Sequence, residues 1–84
     1  KKEAARYRDL VLLGIAGKIF DLELQPRFPL VVHGVKVGVY RADFRYRTQD
    51  GQDVIEDVKG MKTPIYRLKQ KLLHALYGLR IVET

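Results

Sequence analysis

Apolar residues recur at spacings of three and four in the first fifteen residues, which is the period of an amphipathic helix. Charged residues fall mostly at the other positions. Gly17 follows this segment, and a glycine can adopt the left-handed backbone conformation that ends many helices. The pattern therefore predicts a helix over residues 1–15, with an apolar stripe formed by Ala4, Tyr7, Leu10, Val11 and Gly14.

A second helix is predicted near the end of the chain, because its start and its end both carry clear signals. Thr63 suits the N-cap position, where its hydroxyl can accept a backbone N–H, and Pro64 suits the first helical position. Gly78 ends the segment. The predicted apolar stripe consists of Ile65, Leu68, Leu72, Leu73 and Leu76.

Between the two helices, apolar and polar residues alternate with the period of two that is typical of half-buried strands. His33-Gly34 and Asp50-Gly51 are predicted turns, and Gly38 is predicted to mark either a bulge or a close approach of another backbone segment. The order is interpreted as helix, three or four strands, helix and strand, which indicates an α/β (α+β) fold. The strand-like runs cover residues 19–25, 28–32, 35–39, 40–47 and 53–59, and a last short run covers 79–82.

Three of the charged residues in the most strand-like part of the chain, residues 40–60, form a candidate cluster: Asp43, Asp57 and Lys59. Asp43 precedes the turn of a predicted hairpin, and Asp57 and Lys59 follow it, so closing the hairpin brings them near one another. Asp57 and Lys59 share one face of a strand, whereas Val58 between them points to the other face. Buried charges are costly unless they are paired or bind a metal ion. This cluster therefore indicates a functional site, and its carboxylates favour Mg²⁺.

Composition narrows the class of protein. The chain has 84 residues, so we expect a single domain over residues 1–84. It contains no cysteine, which excludes disulfide and zinc–thiolate sites and agrees with a reducing compartment. No apolar run is long enough to cross a membrane, so we expect a soluble, cytoplasmic protein. The net charge of +6 favours nucleic acid as the partner.

The spacing of Asp43 and Asp57-Val58-Lys59 across a hairpin resembles the signature of the PD-(D/E)XK nuclease superfamily. The segments KKEAARYRDL, LQPRF, YRADFRY, EDVKG and YRLKQKLL are similar to small phage-encoded endonuclease-like proteins and cover nearly the whole chain. Two positions depart from the common pattern: Ala42 replaces the proline, and an aspartate fills the (D/E) position. The resemblance implies a restriction-endonuclease-like core, with a mixed sheet flanked by helices, and a short segment upstream of the first helix.

The resemblance assigns catalytic roles to four residues: Asp43, Asp57, Lys59 and Glu3. Asp43 and Asp57 would bind Mg²⁺, with the carbonyl of Val58 as a third ligand and Mn²⁺ as a substitute. Lys59 would hold or deprotonate the attacking water, since a lysine beside a metal ion and away from bulk water loses its proton more easily. Glu3, on the first helix, would bind a second metal ion or orient a metal-bound water.

Basic side chains around this cluster are expected to bind DNA phosphates. Such contacts give affinity without sequence readout and weaken steeply with salt. No segment resembles a separate base-reading module, so structure-selective cleavage fits better than base-specific cleavage. The alternative for the basic residues of the second helix is that they form an ordinary solvent-exposed face and do not bind DNA. The basic positions are Arg41, Arg45 and Arg47 on the Asp43 face and Lys62, Arg67 and Lys69 at the start of the second helix.

Other polar residues near the cluster have simpler interpretations. Glu56 points away from the site by alternation and is expected to be a surface charge or part of an ion pair. Tyr40 and Tyr46 are expected in the core or as cross-strand partners, not as platforms for stacking bases. Gln25 either pairs with backbone at the end of its strand or approaches the site.

These observations favour a metal-dependent DNA endonuclease of phage type, acting in a bacterial host cell on branched or otherwise structured DNA during recombination or replication. A non-catalytic DNA-binding or assembly protein with the same fold is one alternative, and a basic α/β domain with a protein partner is another. The intact Asp43, Asp57 and Lys59 favour the enzyme, because a decayed nuclease usually loses one of them. Small size and the two cuts that a duplex needs favour a homodimer.

Overall fold

The computed structural model describes residues 2–58 and 63–84, which form two helices and six strands. Neither helix in these ranges is long and apolar enough to cross a membrane. Both helices lie where the sequence predicts them, but five strands, not three or four, precede the second helix. In chain order the elements are α1 (Lys2–Ile15), β1 (Ile19–Leu24), β2 (Arg27–Val32), β3 (Val35–Arg41), β4 (Phe44–Thr48), β5 (Asp53–Asp57), α2 (Pro64–Tyr77) and β6 (Ile81–Glu83).

The strands form a mixed sheet of four strands and a separate hairpin of two. The four-stranded sheet has the order β1-β4-β5-β6, and its pairs are antiparallel except for β5 and β6. β2 and β3 form the antiparallel hairpin. Parallel neighbours need a crossover connection, which α2 supplies between β5 and β6. The α/β (α+β) class and the mixed sheet are therefore confirmed.

The chain passes from one sheet to the other at Ala42 and Asp43, between β3 and β4. The continuous strand predicted over residues 40–47 is therefore wrong. Tyr40 packs in one core and Phe44 in another, although both fall on the same alternate positions of the sequence. A period of two identifies residues that share a face within one strand, but it cannot show where the backbone leaves a sheet. Asp43 lies at that point.

A hydrophobic core lies on each side of β5, and one helix packs against each core. The α1 core contains Leu10, Ile19, Phe44, Tyr46 and Val58. The α2 core contains Phe28, Leu30, Tyr40, Ala42, Ile55 and Leu73. Because successive side chains of a strand point to opposite faces, β5 and the residue after it contribute to both cores. The mixed sheet is thus flanked by helices, as the sequence predicts.

The first strand departs from the predicted alternation. The register between β1 and β4 shifts between Phe20 and Glu23, and Asp21 has a φ angle of 57°. Such a bulge interrupts the alternation of side chains along a strand. The strand is present, but of the apolar residues Phe20, Leu22 and Leu24, which its alternation predicts on one half-buried face, only Leu22 packs against a core. Ile19, on the predicted polar face, is buried.

The β2–β3 turn and the caps of α2 are formed by the residues that the sequence predicts. His33 and Gly34 close the β2–β3 hairpin with φ angles of 50° and 78°, and a two-residue turn of this kind needs positive φ at both positions. The register of the hairpin shifts beside Gly38, which confirms the predicted bulge. Thr63 caps α2 with its side chain, and Gly78 ends the helix with a φ angle of 70°.

A buried ion pair joins α1 to β5. Arg6 donates two hydrogen bonds to the two carboxylate oxygens of Glu56, at 2.8 and 2.7 Å, and the Tyr46 hydroxyl donates to the same carboxylate. Glu56 is 0% exposed, so the expected ion pair is confirmed and the alternative of a surface charge is wrong. The pair holds α1 against the strand that ends at Asp57.

Stability is expected to fall in acid because of Glu56. Burial raises the pKa of its carboxyl, but the hydrogen bonds and charge of Arg6 and the hydroxyl of Tyr46 outweigh burial and hold the pKa below its ordinary value. A carboxyl of this kind stabilises the fold above its unfolded-state pKa, and the contribution is lost as the pH falls through the folded-state pKa. In urea unfolding from neutral pH to about pH 3, the free-energy difference between wild type and Glu56→Gln should shrink. A constant difference would contradict this assignment.

Candidate functional site

Asp43 lies at the crossing between the two sheets, where both its backbone and its side chain are held. Its N–H donates to the Glu56 carbonyl at 3.1 Å, and its own carbonyl accepts the N–H of Gln25 at 2.9 Å. Its Oδ2 accepts the N–H of Val58 at 2.7 Å, and only 7% of the residue is exposed. The carboxylate therefore lies buried against the end of β5, although the alternation predicts it on a face of the strand that looks toward solvent or ligand.

Asp57 is the last residue of β5 and is 8% exposed. Its Oδ2 accepts the hydroxyl of Tyr40 at 2.7 Å. Its backbone carbonyl accepts the N–H of Thr84 at 3.1 Å, so the chain after β6 fixes this end of the strand. Because Asp43 accepts the amide of Val58, which follows Asp57, both predicted acidic ligands lie at the same end of β5.

Two tyrosines hold the acidic groups on the α2 side of the sheet. The Tyr40 hydroxyl donates to Asp57, the Tyr66 hydroxyl donates to Oε2 of Glu83 at 3.1 Å, and the ring centroids are 6.3 Å apart. Burial and then the hydrogen bond to Asp57 raise the pKa of Tyr40, so its hydroxyl stays a donor. Burial and the Glu83 hydrogen bond likewise raise the pKa of Tyr66.

Sequence reasoning placed Tyr40 in the core, which is confirmed, but it did not find the contact with Asp57 and did not single out Tyr66 or Glu83. The Tyr40 hydroxyl was the signal in the sequence that could have indicated this contact, because a buried tyrosine usually forms a hydrogen bond with a polar group. Glu83 is the register partner of Asp57 across the parallel β5–β6 pair. That pairing depends on the crossover through α2, so local patterning could not reveal it.

The donor set suits a hard divalent cation. Mg²⁺ is commonly bound by one or two carboxylates, with water completing its coordination shell, and Asp43 and Asp57 supply such oxygens. Within residues 2–58 and 63–84, no group of three or more His, Asp or Glu side chains forms a metal site. Val58 buries its side chain in the α1 core, as predicted, and its amide donates to Asp43. A ligand role for its carbonyl stays a prediction.

Glu3 lies in the first turn of α1, on the wall of a cavity of about 610 Å³. Gln25 and Phe44 line the same cavity, and both adjoin Asp43, one through a backbone hydrogen bond and the other along the chain. Asp57 lines a different cavity. Glu3 therefore lies on the Asp43 side of the site, and its catalytic role stays a prediction. Of the two alternatives for Gln25, its backbone pairs at the strand end while its side chain lines this cavity.

The second cavity, here called the Asp57 cavity, has a volume of about 320 Å³. Two predicted DNA-binding residues, Arg41 and Lys69, line it. Neither forms an ion pair with a residue that the structure describes. Their positive charge is therefore available beside Asp57. The lining consists of Val39, Tyr40, Arg41, Asp57, Thr63, Ile65, Tyr66 and Lys69.

Arg45 and Arg47 make other contacts. Arg45 pairs with Asp53 at 3.5 Å, and Arg47 pairs with Asp21 at 2.5 Å. The same four side chains line a cavity of about 340 Å³, in which acidic groups offset the arginines. These two arginines do not line the Asp57 cavity, and their contact with DNA stays a prediction.

The remaining predicted site residues lie near the start of α2. Arg67 is exposed, and within the described part of the chain its guanidinium forms no ion pair. Lys59 and Lys62 lie outside the residues that the structure describes. The role of Lys59 with the attacking water and the phosphate contact of Lys62 therefore stay predictions.

Comparison with known proteins gives one match. A family model with the description "Protein of unknown function (DUF1064)" matches residues 1–81. Searches of curated proteins and of solved structures give no match. Because the family model spans nearly the whole sequence, the chain belongs to the DUF1064 family.

Proposed function

We propose that the chain is a metal-dependent DNA endonuclease of the PD-(D/E)XK type, which hydrolyses phosphodiester bonds and selects its substrate by DNA structure. The observation that carries the proposal is the hydrogen bond at 2.7 Å between Oδ2 of Asp43 and the amide of Val58. It joins the first acidic residue to the Asp57-Val58-Lys59 segment, which is the juxtaposition expected from the sequence motif. The order of α1, mixed sheet, α2 and β6 agrees with a restriction-endonuclease-like core.

The electrostatics of the two acids also support a cation site. Asp43 and Asp57 are both buried at one end of β5, and neighbouring carboxylates repel each other when both are ionised. A divalent cation bound by both relieves this repulsion. We assign Asp43 and Asp57 as ligands of Mg²⁺, for which Mn²⁺ can substitute. When bound, the ion stabilises the negative charge that develops on the phosphate and activates water.

The protein groups have separate tasks in this proposal. The Tyr40 hydroxyl and the Val58 amide hold Asp57 and Asp43, so that neither carboxylate has to reorient when substrate binds. Lys59, two residues after Asp57, holds or deprotonates the attacking water. Glu3 orients water from the Asp43 side.

DNA binding in this proposal depends first on Arg41 and Lys69, because both line the Asp57 cavity. Phosphate contacts of this kind release counterions, so affinity should fall as salt rises. Arg67, in the first turns of α2, is proposed as a further phosphate contact, and Arg45 and Arg47 contribute from outside the cavity. Lys62 is proposed as another phosphate contact from its place in the sequence alone. A homodimer, with one site for each strand of a duplex, stays part of the proposal.

Metal binding is expected to raise the melting temperature. A ligand that binds only the folded state, at a concentration tenfold its Kd, stabilises the fold by about 1.4 kcal/mol, because the free energy grows with the logarithm of one plus the ratio of ligand concentration to Kd. For a domain of this size, that corresponds to a rise of roughly 6–11 °C. The measurement is a thermal melt of the full chain in EDTA and in Mg²⁺ or Mn²⁺.

Two aspartate variants provide the control for this melt. Asp57→Asn keeps an acceptor for Tyr40 but lowers the charge of the site, so the rise in melting temperature should disappear. Asp53→Asn makes the same chemical change at the exposed start of β5 and should keep the rise. An unchanged melting temperature of the wild type in millimolar metal would count against the metal site.

A further inference from the structure

The lining of the Asp57 cavity combines two kinds of side chain. Arg41 and Lys69 supply positive charge beside Asp57. Tyr66 and Ile65 supply aromatic and apolar surface, and Ile65 lies one helical turn before Lys69 on the same face of α2. The lining suits a ligand that carries both an anionic and a flat apolar part.

The Tyr66 side chain in the cavity lining is held in place by contacts within the protein. The Tyr66 hydroxyl donates to Glu83 at 3.1 Å and accepts from Nε2 of Gln70 at 3.3 Å. Its ring packs against Tyr40 with an interplanar angle of 43°. A ring fixed in this way loses little conformational entropy when a ligand stacks on it.

The Asp57 cavity suits an unpaired nucleotide better than duplex DNA. In a perfect duplex the bases are stacked on each other, and the protein meets phosphates and base edges. An unpaired nucleotide offers its phosphate and also the face of its base, and a base stacked on an aromatic ring contributes about 1–3 kcal/mol. A cavity of about 320 Å³ lies at the small end of the range for ligand sites, which suits one nucleotide and not a duplex.

We propose that the Asp57 cavity binds one unpaired nucleotide of DNA, with its phosphate at Arg41 and Lys69 and its base against Tyr66 and Ile65. The positive end of α2 at Thr63 adds to the attraction for the phosphate. This inference rests on the proposed nuclease function and specifies its substrate class. The cleaved bond lies next to an unpaired nucleotide, as at a gap, a flap or a branch point.

Binding without cleavage tests this inference. The probes are a labelled duplex with a short internal gap that contains 2-aminopurine, and the same duplex fully paired. Affinity is measured by fluorescence anisotropy in EDTA and again in Ca²⁺, which binds carboxylate oxygens. We expect the gapped DNA to bind roughly tenfold more tightly or better, as one stacked base would give, and the 2-aminopurine fluorescence to change on binding.

Two pairs of variants on α2 separate the cavity from the general basic surface. Lys69→Ala should remove most of the preference for gapped DNA, whereas Lys71→Ala removes the same charge outside the cavity and should keep it. Ile65→Glu should abolish the preference, and its new carboxylate suits the first turn of a helix. Leu68→Glu is the control, because Leu68 is similarly exposed, at 57%, but does not line the cavity.

The outcomes separate this inference from the proposed function. Equal affinity for gapped and paired DNA, or equal effects of Lys69→Ala and Lys71→Ala, would overturn the inference even if DNA is cleaved. A preference for gapped DNA that Ile65→Glu abolishes would support the inference even if no DNA is cleaved. In that second case only the nuclease function would fail.

Discussion

Arg6→Ala is expected to lower the free energy of unfolding by about 3 kcal/mol, the lower end of the range for breaking a buried ion pair. The substitution leaves the Glu56 carboxylate, which is fully buried, with the Tyr46 hydroxyl but without its cation. The lower end applies because the Arg6 side chain is itself 29% exposed. Urea unfolding at neutral pH measures the loss.

Arg8→Ala is the matched control, because Arg8 is an exposed arginine of the same helix. Its effect should stay within about 0.5 kcal/mol, as for most surface substitutions. Equal losses in the two variants would contradict a special role for the Arg6–Glu56 pair. For a domain of this size, about 3 kcal/mol is a large part of the total stability.

Asp57→Asn is expected to lower the rate of DNA cleavage by about a thousandfold or more. Metal ions supply several kcal/mol of transition-state stabilisation, and each 1.4 kcal/mol corresponds to about a tenfold change in rate. The amide keeps an oxygen for the Tyr40 hydroxyl, so the fold should be retained. Single-turnover cleavage in Mg²⁺ measures the change.

Asp53→Asn serves as the comparison for the cleavage rate. Asp53 lies at the opposite end of β5 and pairs with Arg45 in the separate cavity of about 340 Å³. Its substitution should leave the rate within a few-fold of wild type, since it removes only a partly exposed ion pair. If Asp57→Asn cleaved DNA as fast as Asp53→Asn, Asp57 would not be a metal ligand.

Elements with local signals were predictable from the sequence. Thr63, Pro64 and Gly78 mark the ends of α2, and His33-Gly34 marks a hairpin, because each signal depends on the conformation of a few consecutive residues. The passage between sheets at Asp43 depends instead on which strands pair, and those partners are distant in sequence. The bulge in β1 was missed for the same reason, since its register is set against β4.

The candidate site divides in the same way. The spacing of the motif predicted that Asp43 and Asp57 come together. The hydrogen bond from the Val58 amide to Asp43 agrees with this, because Val58 directly follows Asp57 at the end of β5. The buried role of Glu56 could not be predicted, because it requires Arg6, fifty residues earlier in the chain. The separation of Arg45 from Arg41 arises at the sheet crossing, which places them on different strands with different partners.

Cleavage of DNA in Mg²⁺ tests the proposed function most directly. The full chain and Lys59→Ala are incubated in parallel with labelled duplex, single-stranded, flap and four-way junction DNA. We expect wild type to cut at least one substrate with unpaired or branched structure in Mg²⁺ but not in EDTA, and Lys59→Ala to cut far more slowly. Binding to these substrates without cleavage of any of them would contradict the nuclease function and favour a non-catalytic DNA-binding protein.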